Sequence, residues 1–282
     1  MLYYYANTGH KVGLERVRRC MAVMKKFSKQ DIEMQILVND FRAGVAMKEE
    51  QGLKEYVTIE TIQDIDAIAT MGDSIIIDSN EDDHGRLVKY MSDFKQVWRF
   101  AHDYKDRSVH GETLLCSECG ENAAIVDEYY FKHHPKKERV LLFLRDHDHQ
   151  KILLSHDTFF QSLNMELLLG HYFFVKYEDE LAKRFSVLHE PETYMELISQ
   201  SSTLVTASSQ AALEARVAGA KVVFLKLKEE IPLYPVELLY RYGVEIVTEL
   251  NTNTLQTALK NATSERLTKI TPFDESELLK YF

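Results

Sequence analysis

Short apolar runs alternate along this chain with longer stretches whose apolar positions recur at helical spacing, the rhythm of an α/β protein. In the first half the pattern predicts strands at Leu2–Tyr5, Met34–Val38, Val57–Ile59, Ser74–Asp78, Gln96–Ala101 and Thr113–Cys116. The run Ser-Ile-Ile-Ile-Asp ending at Asp78 does not alternate, as suits a parallel strand buried on both faces. Helices are predicted over Val12–Phe27, with Val17, Cys20, Met21 and Met24 as its apolar positions, over Thr61–Met71 and over Leu87–Asp93. The second half repeats the rhythm, with strands at Arg139–Leu144, His171–Val175, Thr203–Thr206, Val222–Leu225 and Glu245–Val247. Its helices are predicted near Lys151–Leu163 and at Pro191–Ser199, Gln210–Ala218, Leu238–Tyr242 and Thr254–Ala262. The polar, weakly periodic stretch Gly120–Arg139 reads as a connection. The expected organisation is a first domain over 1–135, a second over 136–265, and a helix within 266–282 that packs back on the body. Two Rossmann-like α/β domains facing a cleft follow, with ligands bound beyond the carboxyl ends of the strands.

The stretch from Thr206 to Lys226 carries the most chemistry. A buried strand runs into small polar residues, Ser208, Ser209 and Gln210, which open a helix that ends before Gly219 and a further strand. Small residues let a ligand approach the backbone, and a helix N-terminus offers N–H groups and a positive dipole end to an anion. Glu214 follows Ser209 by five residues, about a turn and a half into the helix. A carboxylate placed there suits the hydroxyls of a ribose or sugar better than a phosphate. The same pattern also fits a strand–helix–strand unit that binds nothing.

Composition narrows the class. The chain has 282 residues, 45% hydrophobic and 28% charged, which is ordinary for a protein able to bury real cores. A net charge of −10 argues against nonspecific nucleic-acid binding, although the basic cluster from Lys11 to Arg19 could hold a phosphate. No apolar run approaches the roughly 20 residues of a membrane span. The opening Met-Leu-Tyr-Tyr-Tyr is too short and polar for a signal peptide. Three cysteines form no even framework, so a reduced cytoplasmic setting is expected.

Other clusters are open to two readings. Cys116 and Cys119 form a CxxC pair, with His133 and His134 following, but zinc sites of this kind normally have a second CxxC, and incidental thiols are the simpler reading. His147, Asp148, His149, His156 and Asp157 crowd the end of a predicted strand, either as a polar loop or as metal ligands; no metal and no cofactor is expected. Arg145 and Asp148 are candidate ligand contacts there. His102 and Asp103 end another strand, but neighbours on a strand face opposite ways and should not couple directly. Asn80–His84 reads as a solvated loop, with Asp78 the better site candidate.

With these segments in view, the chain resembles the nucleotide-sugar hydrolases of pseudaminic-acid and spore-coat polysaccharide synthesis, GT-B-fold relatives of the glycosyltransferase that makes lipid II. The likeness lies in Val12–Ala22, Ser74–Asp78, Trp98–Asp103, Val140–Asp148, Ser209–Glu214 and Leu239–Val247. It implies that Ser208, Ser209, Gln210 and Glu214 hold a uracil nucleotide, and that Gly13, Arg16, Arg19, Asp78 and Asp103 lie near phosphates or sugar. Two departures stand out. In the register that keeps Gly13 and Arg19, the family's Gly-His is Glu15-Arg16, and an arginine cannot serve as a base near neutral pH. Gly9-His10 supplies a Gly-His pair only in another register. Arg145-Asp146 stands where the family has two glycines, which crowds a diphosphate site.

The resemblance therefore implies a UDP-sugar-binding protein whose reaction, if retained, would release UDP and the free sugar, with His10 or His102 as base. The rivals are a catalytically inactive paralogue acting as a sensor or interaction subunit in surface-glycan work, and a glycosyltransferase of the same fold.

Overall fold

The computed structural model describes residues 1–103, 105–116, 124–228, 231–264 and 269–282. Its contacts divide the chain into two compact units, 1–127 together with 271–282, and 128–270.

In the first unit β1 (Leu2–Ala6), β2 (Met34–Val38), β3 (Val57–Thr58), β4 (Ser74–Asp78), β5 (Gln96–Phe100) and β6 (Thr113–Leu115) form one sheet in the order β3-β2-β1-β4-β5-β6. All its pairings are parallel, with Tyr4 lying between Ile36 and Ile76. Every residue of β1 and β4 is buried, which is why neither strand alternates in sequence. Tyr5, Leu37, Ile75, Ile77 and Val97 pack on one face against Ile62, Leu87 and Tyr90.

The helices of this unit are α1 (Glu15–Ser28), α2 (Phe41–Gln51) and α3 (Arg86–Asp93). Helix α2 is absent from the sequence reading. Its buried residues, Ala43, Gly44, Ala46 and Met47, are mostly too small to make a legible stripe, yet Asp40 caps its start and Gly52 ends it at φ 69. The helix expected at Thr61–Met71 is a 3₁₀ turn, Ile62–Ala67, closed by a capping box between Thr61 and Asp64.

The second unit holds β7 (Lys137–Phe143), β8 (Glu166–Leu168), β9 (Leu188–His189), β10 (Ser201–Thr206), β11 (Lys221–Leu225) and β12 (Glu245–Val247). They are again all parallel, in the order β12-β11-β10-β7-β8-β9. The helices are α4 (Ile152–Ser155), α5 (Asp157–Gln161), α6 (Val175–Ala182), α7 (Tyr194–Gln200), α8 (Ser209–Val217), α9 (Val236–Arg241) and α10 (Thr252–Asn261).

Two expectations fail in this unit. The helix expected near Lys151–Leu163 breaks at His156 into α4 and α5. His171–Val175 is not a strand: the strand is Glu166–Leu168, and Val175 already belongs to α6. Tyr172 and Phe173 are buried from a turn whose Tyr172 N–H donates to the Asp146 carbonyl at 2.9 Å. Strand propensity reflects burial of aromatic and branched side chains, and here that burial is met without a strand.

Residues 271–282 belong to the first unit and include one further helical turn, α11 (Ser276–Leu279). Phe282 lies against Trp98 with ring centroids 6.0 Å apart and against Phe27 at 5.8 Å, and Lys95 Nζ donates to the Tyr281 carbonyl at 2.7 Å.

Candidate functional site

Each sheet reverses its strand order at one point, between β1 and β4 in the first unit and between β7 and β10 in the second. Loops leaving the two strands there diverge and open a crevice at the carboxyl ends, the usual seat of a ligand in such sheets.

In the first unit the loop after β1 is a turn made by backbone. Val12 and Gly13 donate their N–H groups to the Gly9 carbonyl at 2.9 and 2.8 Å. Gly9 has φ 140 and Gly13 φ 84, conformations that side-chain-bearing residues avoid, so the two glycines fix this turn and delay the start of α1 to Glu15. His10 is exposed at the tip. Asn7 N–H reaches the Asp78 carbonyl at 2.9 Å, tying the ends of β1 and β4 together.

Beneath the turn Asp78 is 1% exposed. It accepts from Arg19 Nε at 2.8 Å and Nη2 at 2.5 Å, and from the Tyr4 hydroxyl at 2.8 Å. Arg16 Nε stands 3.4 Å from the same carboxylate. Arg19 is also stacked over the Phe100 ring at 3.8 Å. A fork of two N–H groups on one carboxylate, both buried, is a structural ion pair, so Arg19 and Asp78 are committed to each other. Burial pulls the Arg16 pKa down while Asp78 and Glu15 push it up, and the guanidinium stays charged.

His102 and Asp103 follow β5 at the surface, and no hydrogen bond joins them among the described residues. Asp103 Oδ1 accepts from the N–H groups of Lys105 and Asp106 at 2.6 and 3.0 Å and so closes its own turn. Partial burial of the imidazole, aided by the charge of Arg99, holds the His102 pKa below the ordinary histidine value. Arg99 itself binds Asp106 through two N–H groups at 2.6 and 3.0 Å and Glu112 at 3.1 Å. Between these groups lies a pocket of about 330 Å³ lined by Ser79, Glu81, His102, Asp106 and His110. The sequence reading missed Glu81, Arg99 and His110. Their position at or beyond the ends of β4 and β5, on the reversal side of the first unit's sheet, was the available signal.

In the second unit the crevice is filled by side chains. Arg145 Nε donates to the Ala207 carbonyl at 2.9 Å and so bridges the loops after β7 and β10. Ser208 caps α8, its Oγ accepting from Ala211 N–H at 3.1 Å, and Ser209 Oγ accepts from Tyr234 N–H at 3.0 Å. Glu214 accepts from the Tyr194 hydroxyl at 2.6 Å and from Gln210 Nε2 at 2.8 Å. Ser208, Ser209 and Gln210 are fully buried and Glu214 is 2% exposed. This corrects the expectation of an open mouth at Ser209 and Glu214: the first turn of α8 is covered by the chain's own groups.

Asp148 is a helix cap, accepting from Ile152 and Leu153 N–H at 2.7 and 3.0 Å and from the Tyr177 hydroxyl. His147 and His149 share a hydrogen bond between their Nδ1 atoms at 3.2 Å. Among the described residues no three His, Cys, Asp or Glu side chains are grouped as metal ligands. Cys119 of the CxxC pair lies outside the described residues, and His134 bonds the Tyr129 carbonyl at 2.8 Å. No helix is long and apolar enough to cross a membrane among the described residues.

No family model matches this sequence, and no curated protein matches it either. Solved structures do. The UDP-GlcNAc 2-epimerase of Methanocaldococcus jannaschii, in complex with UDP-GlcNAc and UDP, superposes with a TM-score of 0.59 over 100% of both chains at 10% identity. A second structure of that epimerase gives 0.57 at 11% identity, covering 100% of this chain and 99% of that one. The glycotransferase of kitacinnamycin gives 0.52 at 11% identity, covering 92% of this chain and 89% of that one. At such identities the likeness is one of fold: two parallel six-stranded α/β sheets, as in GT-B-like UDP-sugar enzymes.

Proposed function

We propose that this protein binds a UDP-linked sugar, with the start of α8 in the second unit as the nucleotide site. One observation carries the reading: a Ser208-capped helix opens at the reversal point of the sheet, and Glu214 is fixed in it by two donors. N–H groups at such an end suit a diphosphate, and Glu214 would accept from ribose hydroxyls once Tyr194 or Gln210 releases it. The fold shared with an epimerase that was solved with UDP-GlcNAc and UDP supports the same class of ligand. Because Tyr234 N–H holds Ser209 and Arg145 holds the Ala207 carbonyl, nucleotide entry has to break both bonds.

Binding without turnover is the primary reading. Arg16 occupies the place of the family's histidine and lies against Asp78, so no base is supplied there. Hydrolysis is the second reading, favoured by His10 at the tip of the glycine turn. In it an activated water would attack the sugar's anomeric carbon, the bond to UDP would break with UDP as leaving group, and His10 is the candidate base. The resemblance to hydrolases of surface-glycan synthesis would place either activity in the cytoplasm. Thermal-shift titration with UDP and UDP-sugars, followed by mass spectrometry for free sugar, tests both. A shift without sugar release supports binding alone, release that is lost in His10→Ala supports hydrolysis, and the absence of any shift removes both.

A further inference from the structure

We propose that the pocket beyond β4 and β5 in the first unit binds a compact ammonium-bearing ligand of monosaccharide size, with the chemistry of an amino sugar carrying a free amine. The argument begins with charge. Arg99 is the arginine of the pocket, and Asp106 and Glu112 neutralise it between them. Among the described residues Glu81 accepts only from neutral donors, the hydroxyls of Tyr5 at 2.5 Å and Ser79 at 2.8 Å, both on Oε2. Asp83 accepts from Gly85 N–H at 2.7 Å. Among the described residues neither carboxylate has a cation at ion-pair distance, although both line the pocket.

An anionic ligand would meet these two charges with no cation left to offset them. A divalent metal needs several converging ligands, and no three such side chains converge among the described residues. An ammonium group satisfies both carboxylates and leaves a donor for His102, whose lowered pKa keeps its ring able to accept near neutral pH. The rings of His102 and His110 have no hydrogen-bond partner among the described residues, so both are available. Ile62, Leu87 and Val109 supply an apolar side for the C–H face of a ring. A volume of about 330 Å³ is at the small end for ligand sites, which sets the size class.

The test uses the full-length chain with 6-amino-6-deoxyglucose and glucosamine against glucose, read by calorimetry. Expected is binding of an amino sugar, with glucose at least roughly tenfold weaker, and a loss of roughly tenfold in Glu81→Gln. Because Glu81→Gln also weakens the acceptor of Tyr5, a second variant guards against misfolding. Val109→Trp, at a site 71% exposed, fills the mouth without touching the core and should abolish binding while the thermal midpoint holds. Equal affinity for glucose, no binding of either amino sugar, or binding that survives Val109→Trp would each overturn the proposal. The UDP titration reads the other unit, so failure of one reading leaves the other standing.

Discussion

The two sheets share a strand order but differ in what stands where that order reverses. In the first unit the crevice is shaped by backbone: Gly9 and Gly13 curl the loop, His10 is exposed, and the buried charges lie below. In the second it is occupied by side chains: Arg145 spans it, and Ser209 and Glu214 already have partners. One fold therefore yields a loop curled by backbone at one reversal point and side-chain bridges at the other. Arg145, whose Nε reaches the Ala207 carbonyl, is one residue behind the contrast.

Variants can break or sharpen this comparison. Asp78→Ala leaves Arg19 buried with no carboxylate and should cost the first unit about 3–5 kcal/mol. The chain has a single tryptophan, Trp98, and it lies in that unit, so its emission during urea unfolding reports this loss. A matching loss from an uncharged change elsewhere in the first unit would show that the ion pair is not what holds the crevice. Tyr194→Phe removes one donor from buried Glu214 and should cost about 1–3 kcal/mol by calorimetry, with weaker UDP binding. An unchanged melting curve would mean that Glu214 is not held as described.

Gly13→Ala places a side chain at φ 84 and should cost roughly 1–2 kcal/mol, again read at Trp98. Arg145→Gly should lower stability by only about 1 kcal/mol while strengthening UDP binding, because the bridge to Ala207 disappears. If UDP binding weakens instead, Arg145 is a ligand contact and the two crevices are more alike than their side chains suggest.

The smallest effect concerns pH. Hydrogen bonds from Arg99 hold the Asp106 pKa at about 2, and although burial alone would raise Glu112, the N–H groups of His110 and Val109 hold it at about 2 as well. Both lie below the ordinary carboxylate range, so the stability they add is complete above about pH 5 and is lost as pH falls towards 2. Solvent screening keeps the effect modest, and the acid limb followed at Trp98 should flatten in Arg99→Met. An unchanged acid limb would exclude this network as its source.

Much of the fold was legible because strands buried on both faces leave continuous apolar runs. Met34–Val38, Ser74–Asp78 and Glu245–Val247 have the expected bounds. What escaped notice had small or ambiguous residues: α2 buries alanines and a glycine, and the aromatics around His171 satisfy their burial from a turn. The sites were legible only as positions. That Asp78 and Arg145 stand beside strand ends follows from the pattern. Their partners do not, since Arg19 is 59 residues from Asp78, and Ala207 is 62 from Arg145. Glu81 was passed over because a short acidic loop looks the same whether it faces water or a pocket.

The aromatic cover of Trp98 has a consequence for how the chain is made. Residues 271–282 complete the first unit yet are translated after the whole of the second. While the ribosome is still adding the later strands, the Trp98 indole lacks the Tyr281 and Phe282 rings that lie against it in the finished chain. The first unit's final closure thus waits on the second unit's synthesis, and over that interval it is open to chaperones and to aggregation.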